Sequence, residues 1–199
     1  MLQNEPIILA SKSTSRRAML NAVRVEYEAI PAAIDERAVE EGLTGASAAE
    51  IAEALSVAKA AAVAEVHPER FVLGSDSLVV CDRRRFDKPE SREQAAEHLR
   101  FFSGKVMELH SGAALIKGRG CEWSGSALAR LHVRELSDAF IEEYLAAEWP
   151  EVGYCVGVFR IEALGPQLFD SIEGDQFTVL GMPLLQVLGA LRDLRVLAR

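Results

Sequence analysis

Residues 7–10 form a continuous apolar run of strand length, and the polar stretch 11–15 leads from it into an amphipathic helix over 16–23. A second strand is predicted over 25–30, stopping at Pro31. Ser47 and Glu50 have the spacing of a capping box and open a long alanine-rich helix that ends ahead of Pro68. Ile51, Leu55, Ala58 and Ala62 recur at helical spacing and are the expected buried stripe, with Lys59 at its edge. Strand-like runs over 71–74 and 78–81 flank Ser75-Asp76-Ser77, and 82–85 reads as a turn. Residues 91–102 read as a second capped helix, with Gln94 reciprocal to Ser91 and Gly104 beyond its end. Extended runs over 106–116 and 127–133, turned at 117–120, make a hairpin. A helix over 137–147, strands over 154–159 and 167–172, and a last helix from Pro183 to 194 complete the pattern. The expected fold is mixed α/β: a curved mixed sheet with flanking helices, forming two lobes around a central cleft within one domain over 1–199.

Composition narrows the partners. With 199 residues, 49% hydrophobic and 26% charged, the chain can bury a substantial core. Its net charge of -8 argues against nucleic acid and anionic membrane surfaces as partners, so any site for a phosphorylated ligand has to be local. Cys81, Cys121 and Cys155 are scattered and odd in number, which suits reduced thiols rather than a disulfide framework. Neither they nor the four histidines have metal-ligand spacing. The apolar run at 7–10 is too short for a signal peptide, and there is no stretch of about 18 apolar residues to span a membrane. A cytoplasmic location is the expectation.

Three stretches carry candidate chemistry. Leu9-Ala-Ser-Lys-Ser-Thr-Ser-Arg-Arg17 places serine hydroxyls and loop N–H groups ahead of a helix start, a strand-loop-helix arrangement that suits an anion. Arg16 and Arg17 stand at the helix end that disfavours cations, and they read either as forks for phosphate or as a solvated basic helix start. Lys59, from spacing alone, reads first as a side chain laying its stem on the core with its ammonium in water. Asp76, between two apolar strand segments, calls for a cation; it reads as a metal ligand, a general base for water, or a structural N-cap or turn aspartate. Asp87-Lys88-Pro89 reads as a surface turn unless it joins them. Together these pieces are a minimal kit for metal-assisted attack on a phosphoanhydride.

These stretches, with Ile34-Asp-Glu36, Ala58-Lys59-Ala60, Gly74-Ser-Asp-Ser77, Lys88-Pro89, Ser103-Gly104, Gly157-Val-Phe159 and Gly181-Met-Pro183, occur in the order found in one family. The chain resembles the Maf family of nucleoside triphosphate pyrophosphatases, once described as septum-formation inhibitors. The resemblance implies an architecture similar to the inosine triphosphate pyrophosphatases. It also implies a reaction in which a nucleoside triphosphate and water give the monophosphate and pyrophosphate with a divalent cation, Mg or Mn. Carried over by position, Ser11, Ser13, Arg16, Arg17, Lys59 and Lys88 would bind the triphosphate. Asp76 would be the general base, Glu36 and Asp76 would serve the metal, and Ser15, Ser77 and Glu162 would tune the base preference. A glutamate after the run Gly157-Val-Phe-Arg-Ile is similar to the subgroup that hydrolyses 7-methyl-GTP, since a carboxylate can accept from the guanine N1-H and 2-amino groups. A dTTP- or UTP-preferring or broad enzyme is the alternative, and a nucleotide-binding regulator of cell division with little catalysis is the alternative of another class. The resemblance also admits a homodimer. Thr14-Ser15 in place of a proline or tryptophan, Ser77 in place of threonine or glutamine, and Val156 and Met182 depart from the family pattern and bear on base preference.

Overall fold

The computed structural model describes residue 3 and residues 5–198; residues 1, 2, 4 and 199 of the expected domain lie outside these. The elements run β1 (Ile7–Leu9), α1 (Thr14–Ala22), β2 (Tyr27–Ala29), α2 (Glu36–Glu41), α3 (Ala48–Ala64), β3 (Phe71–Cys81) and β4 (Arg84–Phe86). They continue with α4 (Arg92–Phe102), β5 (Val106–Lys117), β6 (Gly120–Val133), α5 (Asp138–Glu148), β7 (Phe169–Glu173), α6 (Gln176–Val179) and α7 (Leu184–Asp193). The seven strands form one sheet of order β2-β1-β3-β5-β6-β7, with β4 paired to β3. β1 runs parallel to both β2 and β3, whereas β3 with β4 and β6 with β7 are antiparallel, so the sheet is mixed as expected. The chain divides into two compact units: residues up to Ser77 with 111–127 and the segment from Gln176 onward, and residues 78–110 with 128–175.

In the first unit, alternation along the strands sends side chains to two cores. Ile7 and Leu9 of β1, Leu73 of β3 and Leu115 of β5 join Leu20 of α1 and Leu184, Val187 and Leu191 of α7 in one cluster. Their neighbours Ile8, Ala10, Val72 and Ile116 pack with Ala60, Val63 and Ala64 of α3 in another. The sheet here is covered on both faces, which is why β1 reads as an unbroken apolar run rather than an alternating one.

The helix α3 meets the sheet by an unusually close approach. Its buried face consists of Ala52, Leu55, Ser56, Ala60, Val63 and Ala64, one position round from the expected stripe; of that stripe only Leu55 is buried, and Ile51, Ala58 and Ala62 are half-buried. The reason is contact with backbone. A Cβ on Gly74 would stand 2.0 Å from the Ser56 carbonyl oxygen and 2.8 Å from the Ala60 amide nitrogen, and one on Gly112 would stand 2.5 Å from the Ala52 carbonyl oxygen. The helix therefore turns its small residues, not its largest apolar ones, toward the two glycines. Its start is the expected capping box, with Glu50 N–H donating to the Ser47 hydroxyl and Ser47 N–H to the Glu50 carboxylate.

The second unit is held by an aromatic group and by ion pairs between helices. Phe86 packs against His98, Phe101 and Phe102 with ring centroids 5.0, 4.9 and 4.7 Å away. Arg92 pairs with Glu142 at 2.8 Å and Arg100 with Asp138 at 2.6 Å, joining α4 to α5.

Several local expectations are corrected. Residues 71–81 are one continuous strand through Gly-Ser-Asp-Ser, because the hydroxyl and carboxyl groups of this run find partners and the ladder need not break. The expected turn at 82–85 shrinks to Asp82 and Arg83, both at positive φ as in the two-residue turns of twisted hairpins, and Arg84 already begins β4. No strand forms over 154–159: a 3-10 turn occupies Glu151–Tyr154, and Gly157 and Val158 follow at φ +83° and +58°, which no strand tolerates. The expected strand over 167–172 starts later, since Gly165–Leu168 is also a 3-10 turn and β7 begins at Phe169. The sequence pattern did not anticipate α2, a short helix with no buried residue.

Two outcomes are expected. Gly74→Ala forces backbone apart where Ser56 and Ala60 press on it and should cost about 2–4 kcal/mol, read as a shift in denaturant midpoint at unchanged slope. Burial, reinforced by Arg84, pushes His98 below its ordinary value of 6.5, while Glu97 and Asp87 act the other way. A depressed histidine binds protons more readily when unfolded, so its contribution is present above pH 6.5 and lost as pH falls through its folded value. The thermal midpoint should fall on acidification below that pH, and less steeply in His98→Leu; equal slopes would remove His98 from the account.

Candidate active site

Most of the polar groups predicted to matter lie in the first unit, and Ser11, Ser13, Arg16, Ser77, Glu36, Lys59 and Asp76 among them are linked by hydrogen bonds or ion pairs. Ser13 is the N-cap of α1: its backbone is extended and its hydroxyl oxygen accepts from Arg16 N–H at 3.3 Å. Ser11, buried at the end of the apolar run, accepts from Ser13 N–H at 3.2 Å and from Arg16 Nη1 at 3.3 Å. The serine-rich loop is thus a folded turn that presents the N-terminal end of α1, the end whose N–H groups and dipole favour an anion.

Arg16 is the hub of the cluster. Its Nε donates to Gly181 O at 2.9 Å, Nη1 to Ser75 O at 2.8 Å, and Nη2 to the Ser77 hydroxyl at 3.1 Å. With the bond to Ser11, these occupy four of the five guanidinium N–H groups. Burial pushes its guanidinium below its ordinary value, with Asp76 and Glu36 opposing the shift, and at neutral pH it stays charged. The acceptors it holds are neutral oxygens, so its positive charge is not paired off by them.

Behind Arg16 stands a set of hydroxyls. Ser75 Oγ donates to Gly112 O at 2.8 Å, Ser77 Oγ lies 3.0 Å from Gly181 O and 3.1 Å from Ser111 Oγ, and Ser111 Oγ donates to Thr178 O at 2.9 Å. These bonds join β3, β5 and the turn after α6, which carries Gly181 at φ +97°. Ser75, Ser111 and Thr178 are fully buried and were not singled out from sequence. For Ser75 and Ser111 the one advance signal is that a hydroxyl residue interrupts an otherwise apolar strand; Thr178 lies in α6 and takes part through its carbonyl.

Asp76 follows Ser75 on β3 and is 8% exposed. Lys59, which projects from α3 beside the Ser56 and Ala60 contacts with Gly74, donates to Asp76 Oδ1 and also lies 2.9 Å from Glu36 Oε1. Glu36 is held at the first turn of α2, where Asp35 caps the helix by accepting from Ala38 N–H at 3.2 Å. The lysine is therefore no solvated core-edge side chain but a bridge between two carboxylates, one buried and one half-exposed.

Other candidates stand elsewhere. Arg17, next in sequence to Arg16, is exposed and lines a surface groove with Asn21, Arg24 and Tyr27, a groove that includes none of Ser11, Arg16, Lys59 and Asp76. About 100° of helical turn separates the two arginines, which is enough to send them apart. Ser15 is half-buried in the first turn of α1. Lys88 and Glu162 are exposed residues of the second unit, and both charges are felt at the Cys155 thiol, which burial pushes up first and Glu162 further. All three cysteines are free.

A hard divalent cation is commonly held by one or two carboxylates together with substrate phosphates and water. Glu36 and Asp76 meet that description, and among the described residues there is no group of three or more histidine, cysteine or carboxylate side chains that would form a closed protein cage. No helix among the described residues is long and apolar enough to cross a membrane.

The family model for the Maf-like protein matches residues 6–194, spanning every element from β1 to α7. The chain belongs to the Maf-like family. It is 44% identical over 189 residues to a nucleoside triphosphate pyrophosphatase of Nitrobacter hamburgensis, covering 95% of this chain and 94% of that one. It is 43% identical over 190 residues to a 7-methyl-GTP pyrophosphatase of Rhizobium meliloti, covering 94% and 96%. Among solved structures, a HAM1 protein from Coxiella burnetii aligns at TM-score 0.43 and 18% identity over 64% of this chain and 72% of that one. For this Maf-like chain the two adjacent arginines make a sharp test of the geometry. Arg16→Lys cannot span four acceptors with three rotating donors and should cost about 1–3 kcal/mol, whereas exposed Arg17→Lys should stay within about 0.5 kcal/mol. Denaturant midpoints of the two variants check this; equal midpoints would deny Arg16 its place as hub.

Proposed function

We propose that this Maf-like chain hydrolyses a nucleoside triphosphate to the monophosphate and pyrophosphate, with Asp76 as general base. The observation that carries the reading is the buried Asp76 carboxylate, held by Lys59 beside the cationic Arg16 hub and the start of α1. Beyond a share in holding a cation, a buried carboxylate beside a polyanion gives a mere binder only like-charge repulsion and a desolvation cost, whereas it gives a hydrolase its base.

The roles follow from the donors. Ser11 and Ser13 have hydroxyl protons, the N-terminal end of α1 favours an anion, and Arg16 has one Nη2 N–H beyond its four bonds; these are the donors that would take phosphate oxygens. Lys59 fixes the orientation of Asp76 by bonding Oδ1, and a carboxylate has a second oxygen with which to accept from water and take its proton as the water attacks phosphorus. A bound divalent cation supplies charge neutralisation on the phosphates and makes that water more acidic. Glu36 and Asp76 are the residues that would hold it. To give the proposed products, water would attack the α-phosphorus and the bridging P–O bond to the β-phosphate would break: the monophosphate keeps the water's oxygen, Asp76 takes its proton, and pyrophosphate leaves. Lys88 is assigned to phosphate binding, Arg17 to the same ligand, and Ser15, Ser77 and Glu162 to base preference, on the family resemblance.

The finer reading is 7-methyl-GTP as preferred substrate. Its support is the exposed Glu162 carboxylate, whose two oxygens can accept from adjacent N–H groups of a guanine and whose charge suits a methylated, cationic ring, together with the name borne by the Rhizobium meliloti relative.

A pyrophosphate-release panel with magnesium or manganese, run over GTP, 7-methyl-GTP, UTP, dTTP and dITP, tests both levels. Asp76→Asn should retain nucleotide binding by calorimetry and lose turnover by about three orders of magnitude or more. Equal turnover in variant and wild type would overturn the role of Asp76, and binding without turnover in the wild type would favour a regulatory role. A ranking led by UTP or dTTP would replace the substrate reading while leaving the reaction in place.

A further inference from the structure

The segment 157–162 of the second unit is built in a way that ordinary packing does not require. Gly157 and Val158 are consecutive residues at φ +83° and +58°. A β-branched residue in the left-handed region is a real outlier, and such conformations persist only where the surroundings impose them. Val158 is fully buried, and a Cβ on Gly157 would stand 3.0 Å from Met107 Sδ, so this backbone is wedged from one side.

Helix α5 grips it from another. Tyr144 Oη, in buried surroundings, donates to the Val158 carbonyl at 3.1 Å. One helical turn later Glu148, only 5% exposed, accepts from both Nε and Nη2 of Arg160, each at 3.0 Å. Four residues apart, Tyr144 and Glu148 share one helix face and reach two alternate residues of the strained segment. The Arg160 carbonyl in turn accepts from Ala163 N–H at 3.1 Å and Gly165 N–H at 3.0 Å, closing the turn on which Glu162 rides. A carboxylate buried this deeply is costly without its partner, so the pairing fixes Arg160 strongly in place. Phe159 is pinned between them, edge-on to Phe169 at 5.1 Å.

We infer that Tyr144 and Glu148 are positioning residues for substrate selection: through Val158 and Arg160 they hold the turn that carries Glu162. The inference rests on the reading of Glu162 as the residue that recognises the base. It assigns α5 a task in specificity although neither side chain touches a nucleotide.

The test measures kcat and KM separately over the same nucleotide panel for wild type, Glu162→Gln, Glu148→Gln and Tyr144→Phe, with thermal midpoints alongside. The quantity of interest is the ratio of kcat/KM between the best and poorest substrates. Glu148→Gln keeps the shape and removes the charge that grips Arg160; it should lower the ratio by about tenfold to a hundredfold, through KM of the best substrate, with kcat on the poorest within about twofold of wild type. Tyr144→Phe, which deletes one hydroxyl, should move the ratio the same way by a smaller factor. In Glu148→Gln combined with Glu162→Gln the losses should not add, because one acts through the other. If Glu162→Gln flattens the ranking while Glu148→Gln and Tyr144→Phe keep the wild-type ratio, whatever their thermal midpoints, the positioning role is overturned and Glu162 stands. If Glu162→Gln leaves the ranking unchanged, or the wild type shows none, the reading of Glu162 fails and takes the inference with it. Should Glu148→Gln not fold, Tyr144→Phe decides alone by the same ratio.

Discussion

The first unit depends on a close contact between a helix and the backbone of a sheet. Because Gly74 and Gly112 have no side chain, α3 can bring the carbonyls of Ala52 and Ser56 against β5 and β3 at distances that any Cβ would forbid. Position 59 follows from that contact. A lysine one turn beyond Ser56 and next to Ala60 must emerge beside the residue two places along from Gly74, which is Asp76. Were the helix one Cβ layer farther out, the same lysine would reach water before it reached the carboxylate, and the buried Asp76 would lack its cation. Packing of small residues thus determines the placement of the Lys59–Asp76 pair.

The cations of the cluster divide into two kinds. Arg16 is tied entirely to neutral oxygens of Ser11, Ser75, Ser77 and Gly181, so it organises three chain segments and still presents a net charge. Lys59 is tied to two carboxylates and presents none. Guanidinium suits the first task because its planar fork matches several acceptors at once, and ammonium suits the second because it is a compact point charge between two anions. Exchanging the two residues would spoil both arrangements, although the formal charges would be the same.

Much of this was legible in the sequence where a local rule acts alone. The capping box at Ser47 and Glu50, the apolar run of β1 and the polar turn before α1 were all readable because their causes lie within a few residues. The buried stripe of α3 was displaced because periodicity ranks side chains by hydrophobicity, and here two distant glycines select for smallness instead. The absence of a strand over 154–159 had the same kind of cause: Val158 and Phe159 have strand-like composition, and distant partners, Tyr144 on the Val158 carbonyl, Glu148 on Arg160 and Met107 against Gly157, hold the run in its turned conformation. Asp76 was singled out correctly as needing a cation, but nothing local named Lys59 over any other basic residue; family order did. Arg16 and Arg17, equivalent as letters, separate only when the helix assigns them faces.

Charge bookkeeping within the cluster has a consequence for the ligand. Arg16 and Lys59 are balanced by Asp76 and Glu36, so the four groups together are neutral, within a chain whose net charge is -8. A neutral cluster does not by itself attract a triphosphate, and the hydroxyls and helix start can bond its oxygens without compensating its charge. Positive charge for the ligand then has to come from outside these four groups, from Lys88 and Arg17 in the roles proposed for them or with the ligand itself. A divalent cation, which Glu36 and Asp76 would hold, would supply such charge and would make affinity for the nucleotide depend on metal.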